Sequence, residues 1–108
     1  MSETIDRVTV AQDVLNTIVR LTTLGVAGVA RLGGRPSLRR GGEALQVDVS
    51  DDNQVHVDVH VIVHSDMNLR EVAHNIQQAI ARSMNEIVGM QVAAVNVHIQ
   101  DVESPAGK

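Results

Sequence analysis

The stretch Gln54–Ser65, QVHVDVHVIVHS, constrains this chain more than any other. Valine stands at 55, 57, 59, 61 and 63, and between the valines come His56, Asp58, His60, Ile62 and His64. A period of two sends alternate side chains to opposite faces of a strand. One face is therefore a row of valines that must lie on a core. The other is a polar row of histidine and aspartate that faces water or another subunit. Strands usually run about five or six residues, so one this long is expected at the centre of a sheet.

Composition narrows what can cover the valines. The chain has no Phe, Trp or Tyr, so the core must be built from Val, Ile, Leu, Ala and Met, and nineteen valines argue for a large share of sheet. The missing aromatics also remove the stacking platforms of single-stranded nucleic-acid binders and the usual anchors of small-molecule pockets. A formal net charge of −4 points the same way, so no nucleic-acid partner is expected. Without cysteine there is no disulfide, no thiolate zinc site and no thiol nucleophile. The opening MSETIDRVTV is not a secretory signal, and no apolar run approaches the ~18 residues of a membrane span. Membrane association is expected only through a partner. At 108 residues one domain is expected, over 1–103, with 104–108 a disordered tail.

In chain order, Thr4–Val8 reads as a short strand. Thr9 and Gln12 have the spacing of a capping box, which predicts a helix over Ala11–Leu24 ended by Gly25 in a left-handed conformation. Val10, Val14, Leu15, Ile18, Leu21 and Thr22 are assigned to its core face. Val26–Leu32 reads as a strand, and Gly33–Glu43, GGRPSLRRGGE, as a loop. Leu45–Val49 alternates again and pairs with the long strand across the turn Ser50–Asn53. Asn68 and Glu71 predict a second helix start, and Leu69, Val72, Ala73, Ile76, Ile80, Met84, Ile87 and Val88 form its apolar stripe. Gly89 caps it, with Met90 folding back, and Val92–Val102 is the last strand. The fold class that follows is α/β: a two-layer sandwich with one mixed β-sheet and two amphipathic helices on one face, the opposite face being open and polar.

The candidate contact residues are Arg31, Arg35, Arg39 and Arg40 around the glycine-rich loop, and His56, Asp58, His60, Ile62 and His98 on the polar sheet face. Guanidinium groups beside flexible glycines suit anionic partners, but the glycines match neither GxxxxGK[ST] nor GxGxxG. Ile62 is the one large apolar residue in the polar row, where a partner contact would favour it. Neighbouring histidines of that row lie about 13 Å apart along the strand, too far to share one zinc ion. Asp58 with His60 and His98 is the remaining geometric possibility, and no metal or cofactor is assigned. Glu71 and His74 make a single ExxH pair off the apolar stripe. No catalytic residue is assigned.

Several of these stretches together are similar to a known family. VTVAQDVLNTIVRLTTLGVAGVA, a glycine-rich loop, the hairpin with VHVDVHVIV, and NLREVAHNIQQAIARSMNEIVGMQVAAVNVHIQDV resemble the alkaline-shock, Gls-type envelope stress response proteins. The likeness runs from Ile5 to Val102. It is most specific at Gly25–Gly28 (GVAG) and at Gly89, Met90, Val92 and Val95–His98. The resemblance implies a non-enzymatic, cytoplasmic bacterial protein linked to envelope homeostasis and alkaline or general stress. Such proteins self-assemble in some cases, and in others sit at the inner face of the membrane through a separate anchoring protein. Other members are linked to the regulation of lipid metabolism, so the alternative expectation is a regulatory module that binds a metabolic enzyme or an acidic ligand. The arginines between Arg31 and Arg40 and the density of histidine set this chain apart within that likeness.

Overall fold

Gln54–His64 forms the central strand (β3), and its five valines are each 0 % exposed. In this computed structural model residues 9–34 and 44–105 are described. The strand expected at Thr4–Val8 and the loop arginines Arg35, Arg39 and Arg40 lie outside them. The remaining elements are α1 (Gln12–Leu24), β1 (Val29–Leu32), β2 (Leu45–Val49), α2 (Leu69–Ser83), a π-helical turn (Met84–Val88) and β4 (Gln91–Glu103).

β3 organises the sheet because both its edges are used. β2 runs antiparallel to its first half, from Val49↔Val55 to Leu45↔Val59, and β1 antiparallel to its second half, from Leu32↔Val61 to Val29↔Val63. The two short strands lie end to end on one edge. At their junction the His60 amide donates to the Ala44 carbonyl at 2.7 Å and the His60 carbonyl accepts from the Gly33 amide at 2.8 Å. β4 runs parallel along the other edge, from Gln54↔Gln91 to His64↔Glu103. The sheet is mixed, as expected. The β3 valines share one core with Leu15 and Val19 of α1 and with Val72, Ile76 and Ile80 of α2, so both helices cover the same face. The expected two-layer α/β sandwich is the fold.

α2 follows its sequence signals. The Asn68 side chain accepts from the Glu71 amide at 3.0 Å, and Val72, Ile76 and Ile80 are buried. Gly89 has φ 74 and ends the π-helical turn, while Met90 packs against the core. Ile87 departs from the expected stripe and is 66 % exposed, because the wider turn swings it away and leaves Met84 and Val88 on the core side.

α1 departs further. Its N-cap is Ala11, with no side-chain cap, so the Thr9/Gln12 capping box does not form. Gln12 instead donates to the Val47 carbonyl at 2.8 Å and to Asn16 Oδ1 at 3.3 Å. Gly25 is right-handed at φ −83, and the positive φ comes three residues later, at Gly28 with φ 98. The buried side chains are Leu15, Val19 and Thr23, whereas Val14 is 47 % and Leu21 63 % exposed. The assigned core face is therefore rotated: α1 is apolar on two sides, and the sheet takes the side that periodicity alone did not single out.

Candidate functional site: the open sheet face

Alternation along the strands puts the polar row of β3 on the face opposite the helices. Register then decides its neighbours. His56 lies between Asp48 of β2 and Ala94 of β4, Asp58 between Gln46 and Asn96, and His60 beside His98. Four of the chain's five histidines, His56, His60, His64 and His98, thus share one face with Asp48, Asp58, Asp101 and Glu103. At the centre, His98 Nε2 lies 3.2 Å from Asp58 Oδ1, a charge-assisted hydrogen bond when the imidazole is protonated. The His60 and His98 rings stack with centroids 4.5 Å apart and planes 16° off parallel. Parallel pairing brings about this contact by setting the two histidines side by side. The structure therefore brings Asp58, His60 and His98 together and leaves His56 exposed beside them.

Toward the other end, the face is bridged. β4 carries an extra residue where its register slips between Ile99 and Asp101. A bulge of this kind re-aims a side chain. Here Gln100 reaches the segment after β1, where its Nε2 donates to the Gly34 carbonyl at 2.9 Å and its Oε1 accepts from the Gly34 amide at 3.0 Å. Arg31 of β1 donates to Glu103 of β4 at 3.1 Å. Arg31 is paired with Ile62 and Glu103 with His64, so this ion pair closes over β3 between those two residues. Ile62 is consequently 5 % exposed. Ile62, expected as an apolar contact to a partner, thus leaves little of its side chain at the surface of the single chain. Arg31 meets Glu103 in an ion pair that stays exposed. Gln100 and Glu103 were missed as site residues. Alternation places Gln100 on the face of His98 but would put Glu103 on the opposite one; the one-residue bulge that moves Glu103 across leaves no mark in the pattern.

Among the described residues no group of three or more His, Cys, Asp or Glu side chains is arranged to hold a metal ion. No helix among them is long and apolar enough to cross a membrane.

Fold and face together define a small two-layer α/β module that sets four histidines and four carboxylates on the side of its sheet opposite the described helices. The chain belongs to the alkaline-shock protein 23 family, described as having a cell envelope-related function, which matches residues 1–104. It is 29 % identical over 75 residues to YloU of Bacillus subtilis, covering 69 % of this chain and 59 % of YloU, and so spans less than two thirds of that relative. It is 24 % identical over 105 residues to YqhY of the same organism, covering 90 % of this chain and 77 % of YqhY. Both relatives are described only as uncharacterized. Among solved structures, a variant of the MamM CTD superposes with TM-score 0.55 at 12 % identity, covering 84 % of this chain and 98 % of that one. A nickel form of a MamM CTD variant superposes with TM-score 0.54 at 14 % identity, covering 83 % and 98 %. At such identities the likeness is one of fold alone.

Proposed function

We propose that the chain is a non-enzymatic scaffold or interaction module of the bacterial cell envelope, a single domain over 1–103 that acts through self-association and protein partners. It works in the cytoplasm, peripheral to the inner face of the membrane through a partner such as a membrane-anchoring protein. The observation that carries this reading is the asymmetry of the sheet. One face is spent on the core, and the other presents His56, Asp58, His60 and His98 with no covering element among the described residues. Polar, titratable surface of this kind suits recognition of a protein partner more than chemistry on a small substrate. The loop arginines Arg35, Arg39 and Arg40 are proposed to extend the contact surface. The alternative of a regulatory module for a metabolic enzyme or an acidic ligand is weakened by Arg31, whose guanidinium is engaged by Glu103.

Affinity capture after mild cross-linking in native cells, with mass spectrometry of the retained proteins, tests the reading. The wild type is expected to retain a small membrane protein and further copies of itself. A His56→Glu/His98→Glu variant is expected to lose the membrane protein. Retention of a soluble enzyme complex without membrane proteins would sink the scaffold reading.

A further inference from the structure

β4 is a strand of 13 residues paired along one edge, and among the described residues no strand lies on its other edge. Which of its groups face outward follows from β3. The His60 amide and carbonyl both go to the far edge, to Ala44 and Gly33. In a parallel ladder the residue beside His60 then turns its own groups inward, so His98 bonds β3. Its neighbours Val97 and Ile99 point their amides and carbonyls away from the sheet. Gln77 agrees with that parity, since its Nε2 reaches the Val95 carbonyl from outside at 3.1 Å.

The outer edge is blunted at both ends and open between them. Gln77 of α2 holds the Val95 carbonyl, and the Asp101 side chain accepts from the Val102 amide at 2.8 Å. The register also slips between Val92 and Ala94 and between Ile99 and Asp101, and bulges of this kind turn an edge away from pairing. Val97 and Ile99 keep two amides and two carbonyls that no described residue bonds.

That set is complementary to itself. A second β4 laid antiparallel about a two-fold axis at His98 sets Val97 opposite the second copy's Ile99. Each amide then meets a carbonyl, and four hydrogen bonds use every open group of both copies. Other registers meet the blunted ends. An axis at Val97 asks the Ile99 amide to bond the Val95 carbonyl that Gln77 holds. An axis at Ile99 sets the Val97 carbonyl against the Val102 amide that Asp101 holds. In the favoured register the half-buried Val97 and Ile99 meet on the helix side, extending the core across the junction. On the polar side His98 meets its own copy, each beside an Asp58 carboxylate, and Asn96 meets the bulge at Gln100 and Asp101.

We infer that the outer edge of β4 is a self-association surface, on which two copies join antiparallel through Val97 and Ile99 about a two-fold axis at His98. This rests on the self-association proposed above and names its surface. The joined sheet carries the histidine faces of both copies on one side, so a partner meets a continuous polar face. The junction is short, at the low end of interface sizes, and the dimer depends on concentration.

Sedimentation velocity of the full chain from micromolar concentrations upward tests it, with far-UV circular dichroism as the check on folding. The wild type is expected to dimerise. Val97→Pro removes an outward amide from each copy without touching the β3 ladder, and is expected to raise the dissociation constant by about tenfold or more. His56→Glu, on the histidine face but off the axis, leaves the dimer unchanged. The chain has no cysteine, so His98→Cys places a lone thiol on the axis. The two Cα atoms, about 4.5 Å apart in such a pair, lie within disulfide reach. Under oxidised glutathione His98→Cys is expected to cross-link into a dimer much faster than His56→Cys. A wild type that stays monomeric throughout overturns both the edge pairing and self-association. A dimer indifferent to Val97→Pro, or a His98→Cys chain that cross-links no faster than His56→Cys, overturns the edge pairing alone.

Discussion

Gly28 and Gly89 both hold positive φ, at 98 and 74, yet an added methyl group meets different surroundings at the two. At Gly28 it would lie 2.8 Å from Val72 Cγ2 and 3.0 Å from Met67 Cε, whereas at Gly89 nothing lies within 4 Å. Gly28→Ala therefore combines backbone strain with overpacking, and about 3 kcal/mol of stability should be lost. Gly89→Ala carries the strain alone, about 1 kcal/mol. Gly25→Ala, at φ −83 with nearest atoms at 3.5 Å, should be neutral or slightly stabilising. Urea midpoints for the three variants check the order. In the hairpin turn, the Ser50 hydroxyl and then the Asp52 amide hold the Asp52 carboxyl below its ordinary pKa. A depressed folded-state pKa means that its contribution is present above the unfolded-state value and is lost as pH falls through the folded one. Ser50→Ala should return the Asp52 titration, followed by NMR, toward the ordinary carboxylate range.

Among the elements, β3 and α2 were legible because one strong pattern specified each. Alternating valines admit one buried face, and the side chain at Asn68 has one amide to cap. α1 was not, because Val14, Leu15, Ile18, Val19, Leu21 and Thr22 spread over an arc of roughly 160°, and apolar character alone does not say which part of it meets the sheet. The Gln12 bond to Val47 is part of that choice, since it ties the first turn of α1 to β2. Gln12→Ala should cost about 1 kcal/mol in chemical denaturation. Ile62 shows the same limit on a strand. Period two placed it correctly on the polar face, but its burial depends on Arg31 and Glu103, far away in sequence, closing over β3. Ile62→Ala is expected to cost about 2 kcal/mol by thermal or urea unfolding, against under 1 kcal/mol for Glu103→Ala, whose ion pair is exposed.

Taken as one body, the fold places its stability in β3, paired on both edges and covered by both helices. Amides of Val55–Val63 should exchange with solvent most slowly, through global unfolding, while those of the turn at 50–53 exchange through local opening. Hydrogen exchange read by NMR checks this. Much of this was written locally. The valine period dictated a central strand with one buried and one polar face, the cap at Asn68 dictated where α2 begins, and the missing aromatics dictated an aliphatic core. What lies beside what was settled by folding. The stacking of His60 on His98, the bulge that turns Gln100 toward Gly34, the covering of Ile62 and the rotation of α1 all depend on strand register and helix docking. Those arise from contacts between residues tens of positions apart, and a periodic pattern, which counts only along the chain, holds no term for them.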